Sequence, residues 1–69
     1  MKINELQETL RRMYKEYERE PLIQMRIIDW GKTINRLLDE KRLNIFDGFE
    51  ENKDFIFNEM DAFKHAGNN

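Results

Sequence analysis

The sequence predicts an all-α fold, a small three-helix arrangement in which an antiparallel helical hairpin packs against a third helix. Three observations carry this. There is no valine and no serine, while Leu, Met, Glu, Lys, Arg and Gln, all strong helix formers, dominate. Charged residues make up 38% of the chain, which suits helices with wet outer faces. Apolar residues recur at spacings of three and four, the period of a helix with one buried stripe.

The first helix is expected over residues 5–19. Ile3, Leu6, Leu10, Met13 and Tyr17 form an a/d heptad seam. Asn4 is the candidate cap, with Gln7 as its capping-box partner three residues on. Glu8 with Arg12 and Arg12 with Glu16 stand at i,i+4 on the outer faces. Pro21 then interrupts, because it donates no backbone hydrogen bond and belongs in a helix's first turn. The seam changes frame at the same place. Continuing the first heptad puts Gln24 and Gly31 inside, whereas a new frame collects Ile23, Ile27, Trp30, Ile34 and Leu37. A break near Glu20 is therefore expected, with a kinked continuous helix as the alternative.

The second helix is expected over residues 22–41. Met25, Ile28 and Leu38 flank its seam, and so broad an apolar face fits a helix packed on two neighbours. Gly31 costs roughly 1 kcal/mol against alanine in mid-helix. Its expected reason is close helix approach beside Trp30; the alternative is a real break with Thr33 capping a short helix. Residues 42–52 surround an Asp47-Gly48 turn signal with Leu43, Ile45, Phe46 and Phe49. A loop tucked onto the core by its aromatics is expected there in preference to a two-residue hairpin. The third helix is expected over residues 52–65, with Phe49, Ile56, Met60 and Phe63 on one face. Acidic residues near its start and His65 near its end match the helix dipole.

Sixty-nine residues allow one domain, 1–69, and a domain of that size is marginal without a staple. Without cysteine, disulfides and thiolate metal sites are excluded, and a reducing cytoplasm is the expected location. No apolar run approaches a membrane span of ~20 residues. Serine and cysteine nucleophiles are absent, so the usual catalytic triads are excluded and no enzyme is expected. A single histidine makes neither a zinc site nor the paired Glu-x-x-His repeats of a di-metal bundle. Asp61 and His65, four apart, are expected to be a solvated pair. An EF-hand register around Gly48 would put Leu43 and Ile45 at ligand positions, and scattered glycines make no phosphate loop. Neither metal nor cofactor is implied.

What remains is surface. Charge is uneven: residues 1–21 balance, 22–43 carry +2 and 44–69 carry −4. Five phenylalanines, Phe46, Phe49, Phe55, Phe57 and Phe63, fall in the acidic third. Successive helical residues point ~100° apart, so one face cannot hide Phe55, Ile56 and Phe57 together. An aromatic centre with an acidic rim is a docking patch for a protein with a basic surface, and Phe55, Phe57, Glu51, Asp54 and Asp61 are the candidate contacts. The expected function is a small regulatory or inhibitory binder, of the kind common among phage and mobile-element products by analogy of size and composition. A second expectation is a structural homodimer along the Leu6, Leu10, Met13 and Tyr17 seam. A third is a nucleic-acid accessory role for Arg26, Lys32 and Arg36, disfavoured by a pI near 5.4.

Over residues 6–40 the first two helices resemble the hairpins of the small sporulation phosphatases that oppose phosphorylated response regulators. The match runs through Leu10-Arg11-Arg12-Met13, Ile28, Gly31-Lys32-Thr33-Ile34-Asn35 and Leu37-Leu38. The family's Ser-Gln-Glu-Leu-Asp signature is replaced by Gly31, Lys32, Thr33, Ile34 and Asn35, with an amide where its acidic residue stands. The resemblance therefore implies a helical hairpin and carries over no activity.

Overall fold

A computed structural model describes the backbone of residues 1–67 and the side chains of residues 1–62. It contains three helices, α1 (Ile3–Glu16), α2 (Pro21–Asp39) and α3 (Phe49–Gly67). α2 is central and packs against both others. Two side-chain hydrogen bonds set the sense of the α1–α2 pair. Gln7 Nε2 donates to Asn35 Oδ1 at 3.1 Å, and Gln24 Nε2 donates to the Tyr14 carbonyl at 3.0 Å. Later residues of α1 thus meet earlier residues of α2, which is an antiparallel hairpin.

α1 starts and stops earlier than its periodicity predicts. Asn4 is not the cap; Lys2 is, and its backbone N–H donates to the Glu5 carboxylate at 2.9 Å. The start is drawn forward by backbone pairing with a distant loop. Ile3 N–H donates to the Asp47 carbonyl and Asn4 N–H to the Ile45 carbonyl, both at 2.9 Å, and Phe49 N–H donates to the Met1 carbonyl at 2.8 Å. At the other end the helix stops at Glu16, and residues 17–19 turn. Pro21 is the first helical residue of α2, so the break falls where proline and frame shift placed it, and the kinked alternative is excluded.

α2 runs unbroken through Gly31, but not for the expected reason. A Cβ on Gly31 would meet nothing within 4 Å, so no neighbouring helix presses there. The helix ends in a Schellman motif. Arg42 N–H donates to the Leu37 carbonyl at 2.9 Å and Lys41 N–H to the Leu38 carbonyl at 3.1 Å. Lys41 takes the left-handed conformation, φ 61°, where glycine is usual. The reversed chain then drops Leu43 into the core.

Residues 40–48 form a loop, as expected, with one isolated antiparallel bridge between Lys2 and Gly48 and no hairpin. Asn44 and Asp47 hold it: Asn44 Oδ1 accepts from Phe46 N–H at 2.8 Å, and Asp47 Oδ2 accepts from Asn44 N–H at 2.9 Å. The aliphatic Leu43, not Phe46, tucks it inward; Phe46 stays 65% exposed. α3 starts at Phe49, three residues before the expected start, because the Phe49 N–H bond to Met1 anchors it there.

Ile3, Leu6, Ile34, Leu37, Leu43 and Ile56 form the buried cluster, with Leu10, Trp30, Leu38, Phe49 and Phe55 packed against it. Trp30 meets the Phe49 ring edge-to-face at 5.8 Å. Arg36, Glu40, Arg42 and Glu59 form an ion-pair network between the end of α2 and α3. Among the described residues, no helix is long and apolar enough to cross a membrane.

Candidate protein-binding surface

The five expected contact residues of α3 divide between two faces. Glu51 and Phe55 are four apart and share one; Asp54, Phe57 and Asp61, at i, i+3 and i+7, share the other with Glu50. Phe55 is half-buried against the core, and the Arg42 guanidinium lies over its ring at 5.3 Å from the centroid. Phe57 remains 50% exposed and lies beside Trp30, with ring centroids 6.5 Å apart and planes tilted by 54°. A hollow of about 30 Å³ beside it is lined by Arg26, Phe57, Met60 and Asp61. Phe55 and Phe57 therefore take different flanks, and of the two Phe57 is the ring offered to solvent, in a row of carboxylates. Phe63 and His65 lie outside the described side chains.

Electrostatics at the start of α3 are set locally. Glu50 Oε2 lies 3.1 Å from the Met1 amine. That hydrogen bond, helped by a backbone N–H, holds the Glu50 carboxyl below its ordinary pKa. Asp54 and Glu51 are solvated.

The α1 seam is used within the chain at its start and opens toward its end. Leu6 is buried in the core, Leu10 packs on it, Met13 is half-buried, and Tyr17, in the turn, is exposed. The basic residues of α2 are dispersed. Arg36 pairs with Glu40 at 3.4 Å and approaches Glu59 at 3.9 Å, while Arg26 faces the hollow that Asp61 also lines. Among the described residues, no group of three or more acidic or histidine side chains is placed to hold a metal. Thr9 Oγ donates to the Glu5 carbonyl at 3.0 Å, and Thr33 is buried.

Sequence reasoning missed a second surface. Of the three residues flanking the α2 seam, Leu38 packs on the core, but Met25 is 60% exposed and Ile28 stays outside. Leu22, one turn before Met25, is 77% exposed, and Tyr14, Tyr17 and Ile23 are exposed nearby in the hairpin. Leu22, Met25 and Ile28 recur every three residues off the seam, which was the available signal. On a different side of α2 a groove of about 380 Å³ runs between α1 and α2, lined by Gln7, Leu10, Tyr14, Ile27 and Gly31, with Arg11 and Lys15 at its edge.

Compared with known protein families, curated proteins and solved structures, the chain matches none of them.

Proposed function

We propose that this chain is a small non-enzymatic regulatory or inhibitory protein that acts by holding another protein, with Phe57 as the anchor of the contact. The observation that carries this is the half-exposed Phe57 ring on a helix face it shares with Glu50, Asp54 and Asp61. Keeping half of a phenylalanine in water forfeits about half of the roughly 1.5–3 kcal/mol of full burial, on the order of 1 kcal/mol, which a partner's pocket recovers. The residues from 44 to 69 carry a net charge of −4, so the complementary partner presents a basic rim around an apolar pocket. Truncating a central aromatic anchor typically removes about 2 kcal/mol or more of binding.

Affinity capture from cell extract tests the reading, with the chain immobilised in its natural form and as Phe57→Ala and Asp54→Lys. The proposal expects a protein retained by the natural chain, released as salt rises, and lost from both variants while their helical circular dichroism is unchanged. Equal capture by all three forms removes Phe57 and Asp54 from the role.

A further inference from the structure

We propose that Phe55, Glu59 and Glu40 form a seat for an arginine side chain of the partner, and that the free chain keeps this seat shut with its own Arg42. The inference rests on the preceding reading for one thing only, that the partner presents a basic surface.

Two elements assemble the seat. Phe55 and Glu59 stand four apart on α3 and share a face. Glu40 caps the end of α2. The Arg42 guanidinium lies over the Phe55 ring, 5.3 Å from its centroid. Its Nη1 lies 3.3 Å from Glu40 Oε1 and against Glu59 Oε1. A ring face beside carboxylates suits a guanidinium, which is planar, always charged and weakly hydrated. The present occupant thus displays the chemistry of the seat.

That occupant fits incompletely. Its contacts to both carboxylates run through one nitrogen, so the parallel N–H groups of the fork grip neither of them. The Oε1 atom of Glu59 is buried and accepts no hydrogen bond, only the ion contacts of two guanidiniums. Such an oxygen has lost its water without full replacement. Arg42 is tethered by its backbone, fixed between the left-handed Lys41 and its own N–H bond to the Leu37 carbonyl. An arginine arriving from outside has no such tether and can turn its fork onto Glu59.

The cover can leave without unfolding the loop. Buried Leu43 holds the loop, together with the Ile3 and Asn4 amides that bond the Asp47 and Ile45 carbonyls. The Arg42 and Glu40 side chains are both close to half exposed, and ion pairs so open to solvent are individually weak. Charge sets the stoichiometry. Arg36 lies 3.4 Å from Glu40 and 3.9 Å from Glu59. With Arg42 swung out, one guanidinium faces two carboxylates, and the seat takes one cation.

Titration of the full chain with N-acetyl-arginine amide, followed by the NMR shifts of the Phe55 ring, tests this. The natural chain is expected to bind the probe weakly, because Arg42 competes. Arg42→Gln keeps the stem and removes the charge, and is expected to bind at least about tenfold more tightly. N-acetyl-lysine amide, with equal charge and no fork, is expected to bind Arg42→Gln more weakly than the arginine probe does. Adding Glu59→Gln to Arg42→Gln is expected to abolish the gain. Circular dichroism measured alongside checks the helices. If Arg42→Gln loses them, Arg42→Lys, which keeps the charge and gives up the fork, carries the same comparison with a smaller gain. Equal affinity of the natural chain and the opened variant overturns the inference. So does a lysine probe held as tightly as the arginine probe. Capture from extract that ignores Phe57 would remove the preceding reading and leave this titration standing, so the two failures are told apart.

Discussion

The two ends of this molecule are built differently. At one end the start of α1, the loop 40–48 and the start of α3 are laced by backbone bonds from Ile3, Asn4 and Phe49, over a cluster in which Ile3, Ile34, Leu37 and Ile56 are fully buried. At the other end, where α1 turns into α2, Tyr14, Tyr17, Leu22, Ile23, Met25 and Ile28 keep apolar surface in water. The amino acids are similar in kind; the difference is what lies across from them. The loop returns the chain to the first end and supplies Leu43, whereas toward the hairpin end the described side chains of α3 reach α2 at Arg26, beside Met60 and Asp61.

Core truncation gives the largest expected effect and the sharpest contrast. Leu37→Ala removes a fully buried side chain and is expected to cost about 2–5 kcal/mol in urea denaturation. Leu22→Ala, at an equally leucine-like position of the same helix, is expected to change stability by less than about 0.5 kcal/mol in the dilute monomer. Comparable losses from the two would erase the distinction between the ends.

Gly31→Ala follows, with an expected gain of about 1 kcal/mol, because the helix improves and no neighbour must move. A loss would mean that the groove floor is packed. Lys41→Gly acts at the tied end. It relieves a left-handed lysine, worth about 1–2 kcal/mol, and adds the entropy of a glycine, so the net gain expected by thermal denaturation is about 0.5–1 kcal/mol.

The smallest effect is the acid response of Glu50. Its pKa is lowered in the folded chain, chiefly by the Met1 amine. The stabilisation is thus present above the ordinary carboxylate value of 4.5 and is lost as pH falls through the lower, folded value. The stability difference between the natural chain and Glu50→Gln should accordingly shrink with acidification below that point. A difference independent of pH would show that Glu50 contributes nothing through its charge.

Helix number, the break at Pro21 and the central role of α2 were legible in the sequence because they follow from periodicity and from one residue with a fixed backbone. The starts of α1 and α3 were not, since they are set by hydrogen bonds between residues more than 40 positions apart. The candidate site was half legible. That Phe55 and Phe57 take opposite flanks of Ile56 follows from ~100° per residue. Which of them is covered does not, because it depends on Arg42 and Leu43, placed by a left-handed Lys41 that no local preference announces. The exposed hairpin row was visible as surplus apolar residues on α2, but that α1 leaves them uncovered follows from the helix packing and not from the pattern. Gly31 illustrates the same limit: its cost is readable from propensity, its open surroundings are not.

Amide hydrogen exchange on the dilute monomer tests the unequal ends most directly. The account predicts slowest exchange at Ile34, Leu37 and Ile56 and at the laced amides of Ile3, Asn4 and Phe49, with fast exchange from Tyr14 through Met25. Uniform protection along both helices of the hairpin would contradict it.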